Sequence, residues 1–303
     1  MSIAKSLYIT IIAFKDKLIM TTAFWTNTIW YILLGILCII QIIALLKKAN
    51  NRKHVTALYL IIAGITFSFE ATVYLFLKAY DYYPMIFPQS PLNDGLAGNL
   101  FSQFSVTASA LLISVLNLKY YWFLIFSLIY GFIEELFLRL GIYSHNWYQT
   151  WMTILGLNLL FWVTKKMYSS KLMCTNFLRY ILMFFGLYTL HMPTIVWPLI
   201  LLKIFMPKKI LPDAISSFAL ICLLNLFLMS TICMIIYFSK LRYSYKSILI
   251  CALYGILYFA VKFNIIYVKS GWFLLFSTAD VFGMLLGVFI LDKLISFRLK
   301  LGS

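Results

Sequence analysis

The sequence predicts an all-α fold, a polytopic transmembrane helix bundle of about nine spans, and three observations carry that prediction. Apolar residues fill 63% of the 303 positions and charged ones only 11%, with a mean hydropathy of +0.94, which is more apolar surface than a soluble core can hide. The apolar residues come in runs of about twenty, the length that crosses a bilayer. The basic residues collect in the short gaps between those runs.

On that ruler the spans run at 25–46, 56–77, 100–118, 121–140, 147–164, 180–202, 214–238, 247–268 and 272–291. Fifteen of the 25 lysines and arginines fall in gaps on one side, among them Lys47, Lys48, Arg52, Lys165, Arg179, Lys240 and Arg298. Cations mark the cytoplasmic side, so the N-terminus is expected outside and the C-terminus in the cytoplasm of a multi-pass cell-membrane protein. The net charge of +16 is then a matter of topology and of contact with membrane lipids, and no nucleic-acid partner is expected. Before the first span, MSIAKSLYITIIAFKDKLIM has too short an apolar run to cross and no small-residue cleavage site, and reads as an interfacial segment. The five cysteines form no CxxC pair and read as packing residues.

Three segments are expected. Residues 1–54 hold the interfacial segment and the first span, 55–164 form a four-span unit with the polar site, and 165–303 form a second four-span unit, a possible degenerate repeat of the first. The repeat is read from Tyr130-Gly131 with Tyr143 against Tyr254-Gly255 with Tyr267, and from Leu77-Lys78 against Leu202-Lys203. Four spans per unit make the copies parallel. In this alignment Glu134 and Glu135 fall on Tyr258 and Phe259, Arg139 on Phe263, and His145 near Lys269.

Eight of the nine acids lie in the outer half or the outer loops, which points to an outward-facing site. Glu70, Glu134, Glu135, Lys262 and Asp280 come out at a similar depth inside spans, where a charge costs about 2.5–3.5 kcal/mol or more and so faces the bundle interior. Glu135 and Arg139, four residues apart, are expected to pair on one helix face, leaving Glu134 unpaired as a general base, proton carrier or metal ligand. Lys262 is expected to pair with Asp280. His145 follows the fourth span closely enough to fold back onto the glutamates and, with Glu70, to complete a carboxylate and imidazole cluster that binds a metal or activates water. Asp94 reads as the N-cap of the third span.

Glu134-Glu135-Leu136-Phe137-Leu138-Arg139 resembles the EExxxR motif of the CPBP intramembrane glutamate proteases. That family also carries a phenylalanine four residues before a histidine and a further histidine later. Here Leu187 precedes His191, and no histidine follows. Over roughly 70–164 the chain also resembles a family of uncharacterised multi-spanning proteins from spore-forming Firmicutes. That resemblance rests on Tyr82-Tyr83-Pro84, Asp94 with Gly98, Ser102-Gln103, Glu135 with Leu136-Phe137, Gly141-Ile142-Tyr143, and His145 with Trp147 and Trp151. It implies a bacterial cytoplasmic membrane.

These readings converge on a membrane-embedded enzyme acting on a lipid-like substrate, with Glu134, Glu135, Arg139, His145 and Glu70 as its site. A transporter or ion-coupled carrier and a non-catalytic envelope or sensory protein are the alternatives.

Overall fold

The computed structural model describes residues 22–169 and 176–299, so the expected interfacial segment lies outside the described residues. Nine helices follow one another there: α1 (Phe24–Lys48), α2 (Arg52–Phe76), α3 (Pro91–Val115), α4 (Tyr121–Arg139), α5 (Thr150–Ser169), α6 (Phe177–Leu201), α7 (Ala214–Phe238), α8 (Tyr243–Lys262) and α9 (Phe273–Leu299). Eight are long and apolar enough to cross a membrane. The chain is therefore an all-α, multi-pass integral membrane protein. The exception is α5, which has 20 residues but dilutes its apolar run with Asn158, Lys165 and Lys166, and which packs along α3 and α4.

Two expected spans shift for identifiable reasons. The third starts at Pro91, well before residue 100, because Pro91 occupies the first turn, where its missing N–H costs nothing, and because Asp94, Asn99 and Gln103 are polar yet buried. Asp94 does not cap this helix. Its carboxylate accepts the backbone amides of Met85, Ile86 and Phe87 at 3.0, 2.7 and 2.8 Å and so folds the preceding loop, while Ser90 stands at the N-cap. The eighth stops at Lys262, since Asn264 takes a left-handed turn (φ 59°) and Ile266–Val268 become extended.

Among the described residues four three-residue strands form two antiparallel pairs: β1 (Tyr80–Tyr82) with β2 (Tyr143–His145), and β3 (Phe205–Pro207) with β4 (Ile266–Val268). Each pair ties the loop after one helix to the loop two helices later, and both are built alike. Lys78 and Lys203 each take positive φ (49° and 54°) ahead of the first strand, as Gly141 and Asn264 (68° and 59°) do ahead of the second. Tyr83 N–H donates to Ile142 O at 3.0 Å in one pair, and Lys208 N–H to Ile265 O at 2.9 Å in the other. The order helix, strand, helix, helix, strand, helix thus occurs over α2 to α5 and again over α6 to α9.

The strand registers fix which residues correspond, and they differ by one from the alignment on tyrosines. Tyr143 faces Tyr82 and Ile266 faces Pro207, so Tyr143 occupies the place of Ile266, not of Tyr267. One residue in an extended segment reverses the side-chain face. Counting back from there, Glu134 matches the buried Leu257, Arg139 matches Lys262 and His145 matches Val268.

The halves meet along α2 and α6. Gly64 lets α6 approach so closely that a Cβ there would lie 1.8 Å from the Phe185 carbonyl oxygen. Beside it Thr189 Oγ1 donates to Leu60 O at 2.8 Å, and the Phe67 and Tyr188 rings stack at 6.2 Å. At the strand-bearing end Lys78 Nζ reaches Asp213 at 2.9 Å, just ahead of α7. The Ser216 amide and then Lys78 hold the Asp213 carboxyl at about 2, below its ordinary value. A depressed carboxyl contributes stability above its unfolded value and loses it as pH falls toward the folded one. Thermal stability is therefore expected to decline between about pH 4 and 2 by an increment that Asp213→Asn removes, measured as melting temperature against pH for both proteins.

Candidate functional site

A cavity of about 300 Å³ lies inside the first half, between α1, α2, α3, α4 and α5 and beneath the β1 and β2 strands. Its wall is mostly apolar, with Leu34, Val106, Ile133, Phe137, Leu157 and Leu160 prominent. The polar groups sit toward the strands: Glu70, Gln103, Glu134 and Thr153, with the rings of Tyr80, Tyr82, Tyr143 and Tyr148. No lysine or arginine is among the described residues that line it.

The mouth of the cavity is lateral. Ile65 and Phe69 on α2 and Leu159 and Val163 on α5 belong to its lining, and Phe69 and Leu159 are 55% and 62% exposed. Both helices pack on α3 but make no extended contact with each other. Gly156, on the α5 wall, leaves open space where a side chain would stand. The gap therefore opens onto the side of the bundle that lipid would cover.

Glu70 comes to the cavity from α2 and is 5% exposed. One of its oxygens accepts the Tyr80 hydroxyl at 2.6 Å and the Gln103 amide at 2.8 Å. The other, Oε2, is buried with no hydrogen-bond partner. A π turn, Ala71–Phe76, begins directly after Glu70, the kind of helix irregularity that accompanies functional sites. Tyr80 itself is fixed by β1, and burial pushes its hydroxyl and that of Tyr143 well above the ordinary tyrosine value. Burial likewise lifts Tyr148 to about 12, so these phenols stay protonated hydrogen-bond donors.

Glu134 is not the unpaired acid that the sequence predicts. His145 folds back from β2 and sets Nε2 2.8 Å from one carboxylate oxygen, while Thr153 donates to the other at 2.5 Å. Glu134 lines the cavity and His145 does not, so the imidazole stands behind the carboxylate, partly exposed on the strand side. Glu135 and Arg139 are exposed on another face of α4, and no ion pair joins them among the described residues. Glu135 accepts the Thr150 hydroxyl at 2.6 Å instead, because the first turn of α5 lies nearer than a flexible arginine at the helix end. The cavity thus brings together Glu70 and Glu134, with His145 attached, and leaves Glu135 and Arg139 out.

The other expected pair is also replaced. Lys262 is exposed at the end of α8, and Asp280 of α9 meets His191 of α6 at 2.8 Å, both residues being almost wholly buried. Asn225 donates to the second Asp280 oxygen at 3.0 Å. The His191 contact is one of proximity, since neither ring nitrogen has hydrogen-bond geometry to a partner. His191, like Glu70, immediately precedes a π turn, Met192–Val196.

Among the described residues no group of three or more histidine, cysteine, aspartate or glutamate side chains is placed to hold a metal ion. Of the expected cluster of Glu70, Glu134 and His145, the two carboxylates line one cavity and His145 bonds Glu134. Sequence reasoning missed Tyr80, Gln103, Tyr148 and Thr153. Tyr80 had a signal in the aromatic run AYDYYP and Tyr148 in NWYQTW; Gln103 entered only as part of Ser102-Gln103, and Thr153 had no signal beyond being polar in a span. No family model, curated protein or solved structure matches the chain.

Proposed function

We propose that this protein is a membrane-embedded enzyme that admits an amphipathic, lipid-like substrate sideways between α2 and α5, with Glu134 as general base. The observation that carries this reading is a carboxylate at the polar end of a laterally open apolar cavity, backed by a partly exposed imidazole. Glu134 would take a proton from a substrate hydroxyl or a water, and His145 would pass it to the strand side. Thr153 holds the second carboxylate oxygen and so fixes the direction in which Glu134 presents itself. With the cation-rich gaps in the cytoplasm, the strand-bearing end and its site face outward from a cell membrane.

The test compares lipid profiles by mass spectrometry after incubating wild type, Glu134→Gln and Glu135→Gln with vesicles made from the host's total lipid. Wild type and Glu135→Gln are expected to convert the same lipid species. Loss of a general base lowers turnover by about a hundredfold or more, so Glu134→Gln should leave the profile unchanged over the same time. No conversion by wild type, or equal conversion by folded Glu134→Gln, rejects the reading. A carrier is the second reading, favoured by the buried His191 and Asp280 in the other half. It predicts uptake into proteoliposomes that Asp280→Asn stops, with no chemical change in the substrate.

A further inference from the structure

We infer that the cavity selects a substrate with a primary ammonium head, held by Glu70 and the surrounding tyrosine rings; this rests on the cavity reading above. Glu70 Oε2 is a buried acceptor without a donor, a state that costs about 1–3 kcal/mol and that a ligand N–H would relieve. Its other oxygen already takes two neutral donors, the Tyr80 hydroxyl and the Gln103 amide, so the residue is set up as an acceptor. The second carboxylate on the cavity, Glu134, is bonded by His145, whereas Glu70 has no basic partner among the described ion pairs. A positive head group would supply that charge. An anionic phosphate would meet two carboxylates with no lysine or arginine in the lining to offset them.

The aromatic content points the same way. Tyr80 lies 4.9 Å from Tyr148 and 5.3 Å from Tyr143, ring centre to ring centre, and Tyr82 lies 5.1 Å from Tyr143, so four phenol rings wall the Glu70 end. Ring faces attract ammonium ions, most strongly where water is excluded. The matching positions in the second half, Phe205 for Tyr80, Pro207 for Tyr82, Ile266 for Tyr143 and Val268 for His145, carry neither phenol nor imidazole, so the arrangement belongs to the cavity and is not demanded by the strand pair. An amine-bearing bilayer lipid and a free amphipathic amine share this chemistry.

The experiment measures binding of dodecylamine, dodecanol and dodecyl phosphate to the full-length protein in a neutral maltoside detergent, for wild type, Glu70→Gln and the cavity-filling Gly156→Phe. Dodecylamine is expected to bind wild type about tenfold or more tighter than dodecanol, with dodecyl phosphate weakest. Glu70→Gln should erase the preference for the amine while leaving dodecanol unchanged, and Gly156→Phe should weaken both. Equal binding of amine and alcohol to wild type, or tighter binding of the phosphate, overturns the head-group inference and leaves the cavity reading standing. Binding of none of the three to wild type overturns both. The wild-type series decides the matter even where Glu70→Gln does not fold. Lipid extraction from the purified protein separates the two sources: a stoichiometric amine lipid identifies the bilayer, and an empty protein that fills with dodecylamine identifies a free amine.

Discussion

Gly64→Ala is expected to abolish recovery of a monodisperse protein, although it adds a single methyl group. The added carbon would lie 1.8 Å from the Phe185 carbonyl oxygen, and the obstacle is backbone, which cannot rotate away as a side chain can. Relief requires α2 and α6 to separate, which also strains the Thr189 to Leu60 hydrogen bond and the stacking of Phe67 on Tyr188. Overpacking typically costs about 1–3 kcal/mol and more where nothing yields, a large part of the margin of a marginally stable fold. Gly255→Ala is the control, because a Cβ there meets nothing within 4 Å and alanine favours helix by up to about 1 kcal/mol. Size-exclusion profiles and thermal melts should show the first variant aggregated or strongly destabilised and the second unchanged or slightly stabilised. Equal behaviour of the two would mean that the halves do not meet as described.

The second large effect is expected at Asp280. Replacing it with leucine leaves His191 buried without its carboxylate neighbour and Asn225 without its acceptor, and each buried polar group so stranded costs about 1–3 kcal/mol. Removing His191 as well, as His191→Leu with Asp280→Leu, eliminates the stranded imidazole and should recover most of that loss. Recovery will be incomplete because the Asn225 amide still lacks its acceptor, a cost of about 1 kcal/mol or somewhat more. Unfolding in mixed micelles followed by tryptophan fluorescence gives the ordering: wild type, then the double variant, then Asp280→Leu. A double variant no better than the single one would show that the two residues do not stabilise the fold as a pair.

Hydropathy placed the eight apolar helices, because about twenty apolar residues in a row leave little choice of structure, and counted the more polar α5 with them. It erred where polar residues are buried, as at the start of α3, and where a helix ends inside an apolar run, as at Asn264. The partners of the charges were less legible. Spacing of four residues puts Glu135 and Arg139 on one face but does not say that Thr150 of the next helix stands closer. Depth matched Asp280 with Lys262, yet azimuth decides which side chains meet, and azimuth depends on how α6, α7 and α9 pack. The return of His145 to Glu134 was foreseeable because the chain between them is short. The cavity was not, since an empty space is set by what five helices fail to fill.

The mouth between Phe69 and Leu159 changes what concentration means for this protein. A site reached through the side of the bundle samples molecules by their mole fraction in the surrounding apolar layer and not by their molarity in water. Dilution into buffer would leave its occupancy almost untouched, while added detergent would empty it by thinning out the two-dimensional solution around it. Titrations should therefore be plotted against the ratio of amphiphile to total lipid or detergent, and two laboratories using different micelle amounts would otherwise report different affinities for one unchanged site.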